Sequence, residues 1–163
     1  MDISYIMLAT LRGWLAVVAV MAFGNTLQCF RNHGFLADRL YTGTPDLVNG
    51  LQARLFGMWT LLAAIVRLYC ALDITNRSLY YVTMSSFVLA LGHFLLETFV
   101  YQTATLDIGV ITPIIVSGVS LVLMVVGLWH MEPAESYQQH QGRAVDTKVL
   151  LEQEMLKARK KRT

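Results

Sequence analysis

Four apolar runs, Gly13 to Phe30, Leu55 to Leu72, Leu79 to Tyr101 and Ile108 to His130, leave this chain little choice of fold. Each approaches the ~20 residues a helix needs to cross a hydrocarbon core of roughly 30 Å. In that core every backbone N–H and C=O must be satisfied within its own segment. Mean hydropathy is +0.50, and 55% of the 163 residues are hydrophobic against 15% charged. A chain of this length cannot bury so much apolar surface in a core of its own, so lipid must act as solvent. The expected fold is all-α, a polytopic membrane protein built as a four-transmembrane-helix bundle, with spans at about 10–30, 51–72, 79–101 and 108–130.

Residues 1–131 then make the transmembrane domain and 132–163 a polar tail. In the tail Val145, Val149, Leu150 and Leu156 stand among charges as a short amphipathic helix would place them. Ala22-Phe23-Gly24 offers a small-x-small site, but the segment before the first run carries only Asp2 and Arg12 as charges. The run is therefore expected to be a retained helix and not a signal peptide. The first connection, 31–49, is long for a helical hairpin and holds the turn formers Gly34, Gly43, Pro45 and Asp46, with Asn49 placed to cap the second span. The connections at 73–78 and 102–107 are short enough to force antiparallel neighbours. Cys29 and Cys70 fall near opposite membrane faces, which argues against a disulfide, and two cysteines build no metal site.

An even number of spans puts both termini on one side. Arg12, Arg67, Arg77, Arg143, Lys148, Lys157, Arg159, Lys160, Lys161 and Arg162 lie on that side, against Arg31, Arg39 and Arg54 on the other. Positive charge is retained in the cytosol, so the termini are expected there. Lys160-Lys161-Arg162-Thr163 points the same way. It resembles a dilysine retrieval signal, read by cytosolic coats that return proteins to the endoplasmic reticulum, the membrane expected here. Trp14, Tyr69, Tyr80, Tyr81 and Trp129 near one interface, with Tyr41 and Tyr101 toward the other, suggest aromatic belts.

Several polar residues lie within the spans. Only twelve uncharged residues separate Arg54 from Arg67, ~18 Å of helix, so at least one of these arginines must snorkel or be buried. His93 and Glu97, four apart, share a helix face. Folding the second and third spans about a turn between Ile74 and Asn76 brings Arg54 to the depth of Glu97. The same reflection about the first connection puts Asn25 level with Arg54 and Gln28 opposite Gln52, and the last span adds Thr112. One polar layer results: Asn25, Gln28, Gln52, Arg54, His93, Glu97 and Thr112. It can be hydrogen-bonding glue that sets register, a seam between two copies, or a polar pocket.

Catalytic chemistry finds little support. His33, His93, His130 and His140 are dispersed over different depths, unlike the clusters of a di-iron oxygenase. Gly24 and Gly57 sit inside apolar helices, where small residues serve packing, and not after a strand as a dinucleotide fold requires. No serine has a Gly-x-Ser-x-Gly setting. Glu97 and His93 could act as acid and base, as in a membrane isomerase, although at this spacing a structural pair is the simpler reading. No cofactor or metal is expected. The basic run 157–162 suits anionic membrane lipid, and nucleic acid is not an expected partner behind four spans.

Gly24-Asn25-Thr26-Leu27-Gln28, Leu40-Tyr41-Thr42-Gly43 and the block Leu47 to Leu62, with Val48-Asn49-Gly50-Leu51-Gln52-Ala53-Arg54 at its start, occur in that order. They are followed by Leu91-Gly92-His93-Phe94-Leu95, Glu97, Phe99-Val100-Tyr101 and Thr112-Pro113. Over about residues 8–130 the chain resembles the ergosterol biosynthetic protein twenty-eight family. The resemblance implies a non-catalytic scaffold of the endoplasmic reticulum that holds together the enzymes of sterol C-4 demethylation. Those are the sterol C-4 methyl oxidase, the decarboxylating 3β-hydroxysteroid dehydrogenase and the 3-ketosteroid reductase, with contact to other sterol enzymes in fungi. It also implies self-association, as a homodimer. From about Pro133 the chain departs from the family pattern in a longer, more polar tail.

Overall fold

A computed structural model describes residues 3–131, 147–149, 151, 152 and 155. The chain divides into two units, 1–130 and 131–163. In the first, α1 (Ile3–Arg31), a short α2 (Gly34–Arg39), a 3-10 turn at Pro45–Leu47, α3 (Gly50–Leu72), α4 (Arg77–Phe99) and α5 (Ile108–Trp129) follow one another. The helices α1, α3, α4 and α5 are long and apolar enough to cross a membrane. In the second unit Thr147–Val149, Leu151, Glu152 and Met155 are helical. Val145, Leu150, Leu156, Lys160 and Lys161 lie outside the described residues.

Local chemistry sets the helix ends. The side chain of Asn49 accepts a hydrogen bond from the Gln52 N–H at 2.9 Å, and Asn76 does the same for Leu79 at 3.2 Å, so each satisfies a donor the first turn leaves unpaired. The sequence expectation started the first span near residue 10. The helix begins at Ile3, because nothing between Ile3 and Thr10 is Gly or Pro. After α4 the chain turns at Gln102, whose φ of 56° is left-handed.

Around the bundle α1 lies between α3 and α5, and α4 closes the ring by touching both. The α1–α3 seam is the most extensive and uses small residues. An added Cβ on Gly57 would come 3.1 Å from Cys29 Cβ and 3.0 Å from the Phe30 ring, and the Thr26 and Thr60 hydroxyls meet at 3.0 Å. Close backbone approach of this kind replaces the hydrophobic driving force that lipid does not supply. Gly24 has open space where a side chain would stand, so it plays no such part.

At the end of the bundle carrying the α3–α4 turn, packing is tight. Leu11 and Leu15 of α1, Tyr80 of α4 and Met124 of α5 are fully buried, and the Tyr80 hydroxyl donates to the Met124 carbonyl at 2.6 Å. The Trp14 indole N–H donates to Ser120 Oγ at 2.9 Å. Tyr80 and Tyr41 are thus core residues and not members of aromatic belts, whereas Tyr69, Tyr81, Tyr101 and Trp129 do face outward. Adjacent residues on a helix point about 100° apart, and so Tyr80 and Tyr81 have different fates. Val20, Met58, Val88 and Val122 are among the many large apolar side chains exposed on the outside, as a lipid-facing wall requires.

At the other end, the segment 31–49 is not a plain loop. It folds back beneath the bundle, so that Leu36, Leu40 and Tyr41 join Cys29, Phe56, Phe94 and Val110 in one buried cluster. The carbonyl of Arg39, at the end of α2, lies so close to Gly109 that no Cβ fits there. The Gly43 N–H donates to the Thr103 carbonyl at 3.1 Å, and Asp107 Oδ2 accepts from Thr42 at 2.9 Å and from Thr105 at 2.5 Å. Those two hydroxyls, Thr105 first, hold the Asp107 carboxyl below the usual aspartate range.

Candidate functional site

A cavity of about 520 Å³ opens inside the bundle at the α2 end, a size usual for small-molecule sites. All four spanning helices and α2 contribute to it, and its walls are mainly apolar: Val18 and Ala22 of α1, Phe56 and Trp59 of α3, Ala90 and Phe94 of α4. At the Tyr80 end α1 meets α5 directly through Trp14 and Ser120, whereas at the cavity end α2 packs against both α1 and α5. Asn25, Gln28, Arg39 and Thr112 line the cavity and are exposed, which places them at its mouth.

Phe56, Trp59, Ala63 and Arg67 come at successive turns of α3 along one wall. Arg67 ends that row, about 16 Å of helix from Phe56 at 1.5 Å per residue. It is only 8% exposed. Its guanidinium lies over the Phe87 ring, 4.1 Å from the centroid. Its Nε is buried with no hydrogen-bond partner among the described residues. Of the two arginines whose spacing was too short for the bilayer, Arg67 is therefore the buried one, and it stays inside the bundle instead of reaching an interface. Arg54, near the start of α3, is the exposed one.

The seven polar residues expected in one layer fall into three places. Asn25, Gln28 and Thr112 come together at the cavity mouth. His93 and Glu97 form a second group: His93 Nδ1 lies 3.9 Å from Glu97 Oε1, His93 Nε2 is 2.8 Å from the Tyr41 hydroxyl, and Glu97 Oε2 accepts a short hydrogen bond from Thr103. Gln52 and Arg54 stay in the first turns of α3, Gln52 with a buried Oε1 that meets no donor among the described residues.

The expected Arg54–Glu97 ion pair is not formed. Depth was not the error, since Phe56 packs on Phe94 and Trp59 on His93, residues equidistant from the α3–α4 turn. The facing side was: Ala53, Phe56 and Gly57 point into the bundle, which turns Arg54 outward. The reflection across the first connection also fails. Thr26 meets Thr60 and Cys29 meets Gly57, so Asn25 and Gln28 lie more than a turn deeper along α3 than Arg54 and Gln52. A segment with its own helix does not act as a symmetric hinge.

Burial, with Glu97 and Cys29 nearby, pushes the Tyr41 hydroxyl well above the usual tyrosine range, so it remains a phenol. A phenol that donates to His93 Nε2 leaves the ring proton on Nδ1, facing Glu97. His93 also packs against Phe56, Trp59 and Phe94. Those rings line the cavity, and neither His93 nor Glu97 does. The pair is thereby set back from the cavity wall, with His93 Nε2 engaged by Tyr41 and Glu97 Oε2 by Thr103, while both side chains stay partly exposed. Among the described residues no three His, Cys, Asp or Glu side chains are grouped as a metal site would need. Cys29 and Cys70 are buried free thiols.

Three participants were not anticipated. Tyr41 and Thr103 lie in connections, and nothing local marks them as partners of His93 and Glu97. The Arg67–Phe87 stack carried a partial signal, an arginine too deep in a span to reach water, but its partner follows only from the packing of α3 on α4.

A family described as Erg28 like protein matches residues 11–122. The human ergosterol biosynthetic protein 28 homolog is 56% identical over 125 residues, which cover 77% of this chain and 89% of the relative. Ergosterol biosynthetic protein 28 of Schizosaccharomyces pombe is 47% identical over 111 residues, 68% of this chain and 80% of the relative. Its namesake in Saccharomyces cerevisiae is 30% identical over 111 residues, 68% of this chain and 75% of the relative. No solved structure matches the chain.

Proposed function

The chain belongs to the Erg28-like protein family, and on that premise we propose that it is a non-catalytic scaffold for the enzymes of sterol C-4 demethylation. The relatives' names attach them to ergosterol biosynthesis without naming a reaction. One structural observation supports the scaffold most: His93 and Glu97, the acid–base pair of the spanning helices, are engaged by Tyr41 and Thr103 behind an aromatic wall. Large apolar side chains are also exposed on every spanning helix, which offers surface to partners in the membrane. Holding consecutive enzymes on one membrane patch raises the effective concentration at which an intermediate meets its next active site, and so gains rate without chemistry.

The partners in this reading are the sterol C-4 methyl oxidase, the decarboxylating 3β-hydroxysteroid dehydrogenase and the 3-ketosteroid reductase, together with a second copy of the chain. Arg54, exposed on the first turns of α3, suits a headgroup or a partner at the membrane surface. Affinity purification of the full chain from detergent-solubilised membranes is expected to recover the three enzymes, and the purified protein alone to convert no sterol. Sterol conversion by the protein alone would falsify the scaffold.

The membrane in this reading is the endoplasmic reticulum, with both termini cytosolic and Lys160-Lys161 as the retrieval element. Replacing both lysines with serine is expected to let the protein escape to the Golgi. An unchanged reticular distribution in cells, seen by microscopy of the tagged variant, would remove the lysine pair from this account.

A further inference from the structure

We infer that the cavity is a binding site for one apolar carboxylate, a lipid acid whose body lies along the aromatic wall and whose acid group is received by Arg67. The inference rests on the mismatch between Arg67 and its surroundings. A buried cation normally has a carboxylate or several acceptors beside it, because taking the charge out of water is costly. Glu97 is the one acidic residue in the four spanning helices, and it is held by Thr103 at the other end of α4 from the α3–α4 turn. Asp73, the next acid after Arg67 along the chain, accepts from Thr75 instead. Among the described residues the guanidinium is left with the Phe87 ring alone.

The shape of the site selects the rest of the ligand. The cavity walls are largely apolar, with Val18, Phe56, Trp59, Ala63, Ala90 and Phe94 offering contact area to a long apolar body, and the lining hydroxyls of Thr60 and Ser117 already donate to the Gly57 and Pro113 carbonyls. The open mouth, with Asn25, Gln28 and Thr112 on its rim, gives such a body a way in and a polar group at its far end a place to hydrogen-bond. A planar guanidinium presents paired N–H donors that match the two oxygens of a carboxylate, and Arg67 holds its Cζ over the Phe87 ring, 4.1 Å from the centroid. An uncharged alcohol of the same skeleton would fill the walls equally well and leave the charge unanswered. Steroid acids and straight-chain fatty acids share the required chemistry.

The test uses the purified full-length chain in a nonionic detergent and four probes: a steroid carboxylate, the matching steroid alcohol, a long-chain fatty acid and the matching fatty alcohol. Equilibrium binding is expected to favour at least one acid over its alcohol by about tenfold or more, as a charge-assisted bidentate contact in a dry site implies. The acid that binds tighter identifies the source. Arg67→Leu is expected to melt no lower than the unmodified protein, because an apolar residue in place of an unpaired buried charge is commonly neutral or stabilising. It should bring the acid's affinity down to that of the alcohol. Ala63→Phe, which obstructs the cavity and keeps the charge, should weaken acid and alcohol together. The proposal is overturned by equal binding of acid and alcohol, by no binding of any probe, or by an Arg67→Leu protein that binds the acid as before. If the leucine variant does not fold, the comparison of acid with alcohol on the unmodified chain still decides.

Discussion

Alanine at Gly109 is expected to unseat the α2 segment and cost the protein about 3 kcal/mol or more, at or beyond the upper end of the usual cost of overpacking. The added carbon would occupy the space of the Arg39 backbone, with the carbonyl oxygen and carbonyl carbon both in its way. A side chain could rotate aside, but here helix α2 itself must move. Leu36, Leu40 and Tyr41 would then lose their places against Phe56, Phe94 and Val110. Pro113 adds to the sensitivity of this turn, since it cannot donate the hydrogen bond that would tie it to the Gly109 carbonyl. Gly92 and Gly118 supply the control. Both have open space at the Cβ position, so alanine there should be neutral or should stabilise by up to ~1 kcal/mol through helix propensity alone. Thermal unfolding in detergent measures all three, and a Gly109→Ala protein that melts with the Gly92→Ala protein would show that the α2–α5 contact is not needed.

The second large effect belongs to the opposite end of the bundle. Tyr80→Ala removes a side chain with 0% exposure and should lower stability by about 3–5 kcal/mol, the usual cost of emptying an aromatic site. Tyr80→Phe keeps the ring and removes only the donor to the Met124 carbonyl, so about 1 kcal/mol is expected. The same contact makes a coupling measurable. A Cβ on Gly127 would stand 2.5 Å from the Tyr80 hydroxyl and 2.9 Å from Leu11 Cδ2, so Gly127→Ala should be costly beside tyrosine and less so beside phenylalanine or alanine. Unfolding of the four proteins of a double-mutant cycle gives the coupling energy, and additive effects would mean that α4 and α5 do not meet through this pair.

These two sites also show how far the sequence could be read. The spans were legible because lipid admits few solutions, and α3 and α5 lie where hydropathy put them, Gly50–Leu72 and Ile108–Trp129. Depth across the short α3–α4 turn was legible too, as the contacts of Phe56 with Phe94 and of Trp59 with His93 confirm. Rotation about each helix axis was not. Spans this apolar all round have no single greasy face to declare which side turns inward, and so the sequence does not mark Arg54 as outward or Tyr80 as core. The Asn25–Arg54 level was lost for a different reason. The connection between α1 and α3 holds a packed helix whose seat depends on Gly109, some seventy residues later.

By itself, then, the sequence determined that this chain is a four-span helical membrane protein, where the second, third and fourth spans start and stop within a few residues, and that it resembles the Erg28-like family. Those properties follow from segment length, capping residues and motif order, all written locally along the chain. The tertiary structure alone decided that Tyr80 is core, that Tyr41 and Thr103 engage His93 and Glu97, and that Arg67, in a cavity lined by all four spans and α2, has a buried Nε with no hydrogen-bond partner among the described residues. Each of these depends on which faces of distant helices meet. In a bilayer that choice is made by close packing and hydrogen bonds between helices, because lipid solvates every apolar face equally well.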